Sequence, residues 1–439
     1  MDKKTPVSVF WFRRDLRLDD NAGLYHALKS PNPVLPVFIF DREILAQLED
    51  QDDARVTFIY ETIATLDKQL HKYGSSLRVL HDQVENAWHT LLQDYNITAV
   101  YTNRDYEPYA IKRDGNIQNL LKKYDISFYT FKDQVIFEKD EVLKDDGMPY
   151  TVYTPYNRKW YQKLTPFYLK AYPNKKYFDN FFKTAPFSVP ALTDLGFIKS
   201  KLKFPAIHYK ELIAEYPEKR DFPAVNGTTR IGLHLRFGTV SLRELVSAAN
   251  EFKEKTWLNE LIWREFYMMI LYHFPQTATH SFKPEYDRIK WVNNEMQFED
   301  WCRGETGYPL VDAGMRELNT TGYMHNRVRM LVASFLSKHL LIDWRWGERY
   351  FARKLLDYEM ASNVGGWQWS AGSGTDAAPY FRIFSPDAQL KKFDPDFIYI
   401  KKWVPEYADF SRYPKPIIDH AYARERCLKV FKEALSGIN

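Results

Sequence analysis

The sequence predicts an α/β domain built on a parallel, Rossmann-like sheet, followed by an all-α domain. Three observations predict it. Short apolar runs alternate with helical-period segments over residues 1–135, and from about residue 206 the pattern is helical throughout. The chain, at 439 residues, also exceeds the size at which one hydrophobic core stops growing.

The elements follow in order. "VSVFWF" (7–12) and "VLPVFIF" (34–40) read as buried strands, being short runs rich in Val, Ile and Phe. "RVTFIYETIATLDKQLHKYG" (55–74) carries apolar residues at helical spacing and stops on Gly74. Further strands are "SLRVLH" (76–81), "ITAVYTN" (97–103) and "ISFYTF" (126–131), with "VENAWHTLLQDYN" and "RDGNIQNLLKKYD" as helices between them. Ligands in such sheets sit at the carboxyl ends of strands. The Gly-rich dinucleotide fingerprint is absent, which argues against a nicotinamide site.

Residues 136–205, rich in Pro, Tyr and Lys and without clear periodicity, read as a connector. Beyond it, residues 241–255, 257–274, 311–341 and 347–363 fit a 3.6-residue period better than alternation. The domains expected are therefore 1–135, 136–205 and 206–439.

Two cysteines, Cys302 and Cys427, make neither a disulfide framework nor a four-thiolate metal site. The histidines lack metal-ligand spacing, so no metal is expected. No signal-length or membrane-length apolar run occurs, and a cytoplasmic monomer is expected. Residues 1–135 hold 17 Lys and Arg against 20 Asp and Glu, while the rest hold 44 against 37, a mild polyanion signal in the second part. Nine of the twelve tryptophans fall between Trp257 and Trp403, as a site for planar ligands or stacked bases, or an aromatic core, requires.

Glu260, Trp263 and Tyr267 lie at i, i+3 and i+7 of "WLNELIWREFY", on one helix face. In "MHNRVRM", Asn326 and Met330 are four apart, with Arg327 and Arg329 beside them. These groups suit a cavity for a flat polar ligand; the bland alternative is an amphipathic core helix with charges at its margin. His325, without a nucleophile to serve, reads as structural. Asp357, Glu359 and Asn363 of "LLDYEMASN" either pair with an arginine such as Arg329 or form a solvated helix end. Thr228, Thr229 and Arg230 of "NGTTRIGLHLRFGTVS" sit at a turn before a helix, where backbone N–H groups can cradle phosphate.

Together these segments resemble the photolyase/cryptochrome family along the whole chain. "VFWFRRDLRLDDN" is similar to the family's opening signature, and "TGYPLVDAGMRELNTTGYMHNRVRM", "LLIDWRWGERYF" and "NVGGWQWSAGSGTDAAPYFRIFSP" are highly specific. Within the family they look like a class I enzyme acting on cyclobutane pyrimidine dimers. The resemblance implies light-driven repair of such dimers in DNA, by electron transfer from excited reduced FAD to a dimer flipped out of the duplex. It also implies that the helical part is the FAD-binding domain. FAD would be held by Tyr216, by Thr228, Thr229, Arg230, Ile231 and Gly232, by Trp257, and by Asp357, Tyr358 and Glu359. Arg329 would pair with Asp357, and Asn363 would face the flavin. The lesion would meet Glu260, Trp263, Tyr267, Asn326, Arg327, Met330 and Trp369, with Gln389 on the DNA rim.

Trp367, Trp344 and Trp291 would form an outward chain that re-reduces FAD, and Gly365 and Gly366 would allow close approach to the cofactor. Two positions depart from the family pattern: "TTRIG" stands where serine usually closes the phosphate turn, and Glu359 where Asp is usual. A second, light-harvesting chromophore is implied for the α/β domain, namely a deazaflavin, a folate or another flavin. Folate-binding members often show an Asn–Glu pair where Tyr109 and Ala110 stand, which favours a flavin type or an empty site. The rival reading is a cryptochrome-type blue-light receptor; the complete lesion set and the short stretch after the family core count against it.

Overall fold

The computed structural model describes residues 5–409 and 411–436. Five parallel strands, β1 (Pro6–Phe12), β2 (Val34–Asp41), β3 (Arg78–Asp82), β4 (Asn96–Asn103) and β5 (Ser127–Phe131), form one sheet in the order β3-β2-β1-β4-β5. All five expected strands are present. Every residue of β2, and all of β1 after Pro6, is buried, which is why these two read as unbroken apolar runs: a strand covered on both faces has no polar side to show. Edge strand β5 is half-exposed instead. Helices Ala54–His71, Val84–Asp94 and Pro108–Lys122 lie between strands as expected. Helix Ala22–Leu28, only seven residues long, is too short to show a period.

The strand order reverses between β1 and β4, the position at which doubly wound sheets open a crevice. Asn103, ending β4, donates to Asp15 at 2.6 Å and to Asn21 at 2.8 Å, and accepts from the Gly23 N–H at 2.9 Å.

The chain forms two compact units. The first comprises 1–138, 163–207 and 231–251; the second comprises 139–162, 208–230 and 252–439. In the first, Asp133 is the hub of a buried ion cluster, with Arg17 at 2.7 Å, Arg243 at 2.8 Å and the Ala22 N–H at 3.2 Å.

The second unit is helical, around a core containing Trp301, Trp344 and Trp367. Two expected helices are interrupted. The 311–341 stretch divides at Gly322, whose φ of 67° closes helix Pro309–Thr321. Its second part, Asn326–Ser334, is capped by His325, which accepts from the Arg327 N–H at 3.2 Å. Burial holds the His325 pKa down at about 4, keeping the ring neutral and able to accept. The 347–363 stretch divides into Trp344–Lys354 and Met360–Ala371 because Leu355 turns extended and the Leu356 N–H donates to Gly322 O at 2.9 Å. Within 136–205, residues Tyr153–Lys163 form a helix anchored by buried Tyr156 and Trp160, four apart.

Burial pushes the Asp133 carboxyl up, but Arg17 and Arg243 outweigh it and hold the group below the usual carboxylate range. A depressed pKa stabilises the fold above the unfolded value of about 3.9 and stops doing so as pH falls through the folded one. Asp133→Ala, which removes the carboxylate that Arg17 pairs with and leaves Arg243 to Asp20 alone, should cost about 3–5 kcal/mol at neutral pH. Chemical denaturation should also show the gap between variant and parent narrowing in acid.

Candidate active site

A cavity of about 400 Å³ opens in the helical unit, within the size range of cofactor sites. Three stretches of chain supply most of its wall. Helix Thr256–His273 contributes Glu260, Trp263 and Tyr267, the predicted i, i+3, i+7 face. Helix Asn326–Ser334 contributes Asn326, Arg329 and Met330. The break after Lys354 and the helix that follows contribute Asp357, Tyr358, Glu359, Asn363, Trp367 and Trp369.

The break positions the charges. Arg329 donates to both carboxylate oxygens of Asp357, at 2.9 and 3.2 Å, and through Nε to Met324 O at 2.7 Å. The Arg329–Asp357 pair expected from the sequence is therefore present. Glu359 is buried and pairs with Arg264 at 2.9 Å.

Helix Met360–Ala371 contains the glycine pair. A Cβ on Gly365 would collide with the Tyr267 ring, whereas one on Gly366, which lines the cavity, would meet nothing within 4 Å. Gly365 thus allows two helices to approach, and Gly366 keeps the wall open for a ligand. Asn363 donates through Nδ2 to Glu348 O at 3.1 Å and to Glu348 Oε1 at 2.9 Å. Both partners are acceptors, so the amide orientation is fixed and its carbonyl oxygen is left for the cavity.

Beside this wall, a second cluster gathers on Tyr323. Thr228 hydrogen-bonds its hydroxyl at 3.0 Å, the Arg230 guanidinium lies 4.4 Å from its ring centroid, and Arg329 lies 5.6 Å from it. Arg230 holds φ at 50°, rare for a residue with a side chain, and bends the backbone as an anion-cradling turn does. Trp257 is buried and donates to Thr229 Oγ1 at 3.4 Å. Ile231 and Gly232 belong to the first unit, where Gly232 opens helix Gly232–Phe237.

The remaining predicted residues lie off the cavity wall. Arg327 pairs with Asp221 and lies 4.6 Å over the Phe393 ring. Gln389 is half-exposed on helix Pro386–Phe393. Trp344 shares the core with Trp367, and half-exposed Trp291 packs against its edge.

Glu348 and Arg220 are among the site residues not singled out from the sequence. Glu348 orients Asn363 from a neighbouring helix. Arg220 lines the cavity, stacks 5.3 Å over Tyr216 and donates to Glu260 at 2.7 Å. It stands in "EYPEKRDF", and its charge had no visible partner because Glu260 lies forty residues away. Burial raises the Glu260 carboxyl pKa, and Arg220 opposes that rise. Arg220→Leu should therefore raise it further, moving the carboxyl infrared band to titrate at higher pH. An unmoved titration would show that Arg220 does not set the charge of Glu260.

Two family models match the chain. Residues 8–176 match the family model described as DNA photolyase, and residues 257–412 match the FAD binding domain of DNA photolyase. The chain is 36% identical over 482 residues to the deoxyribodipyrimidine photo-lyase of Alkalihalophilus pseudofirmus, covering 98% of this chain and 99% of the relative. A bacterial class III photolyase from Agrobacterium tumefaciens is similar in structure, with a TM-score of 0.88 at 32% identity over 99% of both chains. An archaeal photolyase from Sulfolobus tokodaii, solved with two FAD molecules, gives a TM-score of 0.81 at 33% identity over 97% of this chain and 100% of that one.

Proposed function

The chain belongs to the DNA photolyase family, and on that premise we propose that it repairs cyclobutane pyrimidine dimers in DNA under light, with FAD held in the cavity of the helical unit. One observation carries this reading. The residues assigned to the lesion (Glu260, Trp263, Asn326, Met330 and Trp369) and those assigned to the cofactor (Arg329, Asp357 and Asn363) line the same cavity.

The residues present fit a flavin. Apolar Phe351, Leu355 and Trp367 face paired ionic groups across an opening that Gly366 keeps clear. Thr228, Thr229, Arg230 and Tyr216 would hold the phosphates, and Asp357, Tyr358 and Glu359 would hold the polar side of the cofactor. FAD, when bound and reduced, supplies an electron under near-ultraviolet or blue light and takes it back, so that the repair involves no net redox change.

The protein's own contribution is position and polarity. Extruding a damaged, poorly stacked pair costs a few kcal/mol. Trp263 and Trp369 offset it with apolar faces worth about 1–3 kcal/mol per stacked base. Glu260, whose carboxyl pKa burial raises, would hydrogen-bond the thymine edge. Asn326 and Met330 shape the pocket from the facing helix, while Arg327 and Gln389 meet the DNA at the rim. Trp367, Trp344 and Trp291, stepping from the cavity wall through the core to a half-exposed edge, give an electron a route inward.

A second chromophore in the α/β unit, a flavin or deazaflavin in preference to a folate, extends the reading. Tyr109, at the position in question, donates its hydroxyl to Asp41 at 2.6 Å. Extraction of pigment from the native protein identifies it.

The test is recovery of thymine absorbance from an oligonucleotide containing one thymine dimer, mixed with photoreduced protein and illuminated beside a dark control. Recovery should occur only in light. Glu260→Ala should slow it about tenfold or more, the worth of one hydrogen bond to a developing charge. No recovery with bound, reducible FAD would sink the repair reading and favour a blue-light receptor.

A further inference from the structure

Trp263 offers the cavity only part of its surface. The Tyr153 ring lies against one face of the indole, with centroids 3.7 Å apart and planes 7° from parallel. Phe266 meets both rings edge to face, at 83° to Trp263 and 77° to Tyr153, and Tyr267 is tilted 34° to Trp263 with centroids 5.5 Å apart. A close parallel stack is a different arrangement, and the hydroxyl fixes it. Tyr153 donates to Asn259 O at 2.9 Å and accepts from Asn157 Nδ2 at 2.9 Å. Asn259 lies four residues before Trp263, so the ring and hydroxyl of Tyr153 grip one turn of the helix that carries the indole. Asn157 and Tyr161 hold the Asn259 side chain as well, at 3.0 and 3.1 Å.

Helix packing does not require this stack. Tyr156 and Trp160 anchor helix Tyr153–Lys163 in the core, with the Trp160 indole donating to Glu265 at 2.6 Å, whereas Tyr153 is half-exposed. The Tyr153 N–H donates to Asp376 at 3.2 Å, and Thr375 donates to Thr151 O at 2.5 Å, so the loop after Trp369 holds the start of the same helix.

We propose that Tyr153 is a positioning residue for the lesion: it backs Trp263 with a fixed parallel ring, so that the indole presents one pre-set face to an extruded pyrimidine dimer. An indole ordered before its ligand arrives loses little further rotamer freedom on stacking. With one face covered, a base can enter only from the cavity side, where Glu260 and Trp369 stand. This role rests on the dimer-repair reading. It concerns selection of damaged DNA, not the light step, and so has a signature in the dark.

The experiment measures binding of the FAD-loaded protein, in the dark, to a duplex containing one thymine dimer and to the same duplex undamaged. Tyr153→Leu should bind the dimer duplex about tenfold more weakly, the size of an aromatic pair contribution. Its affinity for the undamaged duplex and its FAD content should remain those of the parent. Tyr153→Phe, which keeps the ring but loses the hydroxyl that fixes it, should bind the dimer duplex more tightly than Tyr153→Leu and less tightly than the parent. If Tyr153→Leu yields no folded holoprotein, Tyr153→Met, which fills the space without a ring, carries the same expectation. Dimer affinity unchanged in the ringless variant, or both duplexes weakened equally, overturns the proposal while the repair reading stands. A parent that binds both duplexes alike overturns the repair reading, and this role with it.

Discussion

The Arg329–Asp357 pair is the constraint on which the rest of the cavity depends. Asp357 lies where one expected helix has become two, and Arg329 projects from the helix capped by His325. The charge-assisted contact of Arg329 Nη2 with both Asp357 oxygens, together with the Nε bond to Met324 O, fixes the break relative to the neighbouring helix. That in turn sets where Met360–Ala371 begins, and with it the directions of Asn363, Gly366, Trp367 and Trp369. An uninterrupted helix through residues 355–359 would put neither the Leu355 turn nor the Asp357 carboxylate where Arg329 can meet them.

Glu260 shows how the cavity balances opposing demands. Burial favours its proton, while Arg220 favours its charge, and burial prevails. Arg220 donates to the carboxyl at 2.7 Å, so Glu260 sits in an ion pair whose charge its burial opposes. Asn363 is treated in the opposite way: Glu348 fixes its amide so that it presents an acceptor. One polar group is held between opposing influences and one is made rigid, on two helices of the cavity wall.

The fold was largely legible because its signals are local. Strands β1 and β2 are covered on both faces and declare themselves as apolar runs, and Glu260, Trp263 and Tyr267 fall on one face by spacing alone. What was not legible depends on partners distant in sequence. Leu356 leaves its helix for Gly322 O, Arg220 pairs with a carboxylate forty residues on, and Glu348 acts through a side chain on another helix. Tyr153 is the extreme case, since nothing in a Tyr-rich stretch without periodicity marks which ring will stack on Trp263. The glycine pair was conspicuous, but only packing separates its members, Gly365 serving Tyr267 and Gly366 serving the cavity.

The proposed repair requires a pyrimidine dimer to enter the same cavity as the flavin, close enough to accept an electron. The most direct measurement is the excited-state lifetime of the bound, reduced flavin, with and without an oligonucleotide carrying one thymine dimer. The account predicts that the dimer shortens the lifetime and that the undamaged strand leaves it unchanged. A lifetime indifferent to a dimer shown to be bound would contradict it.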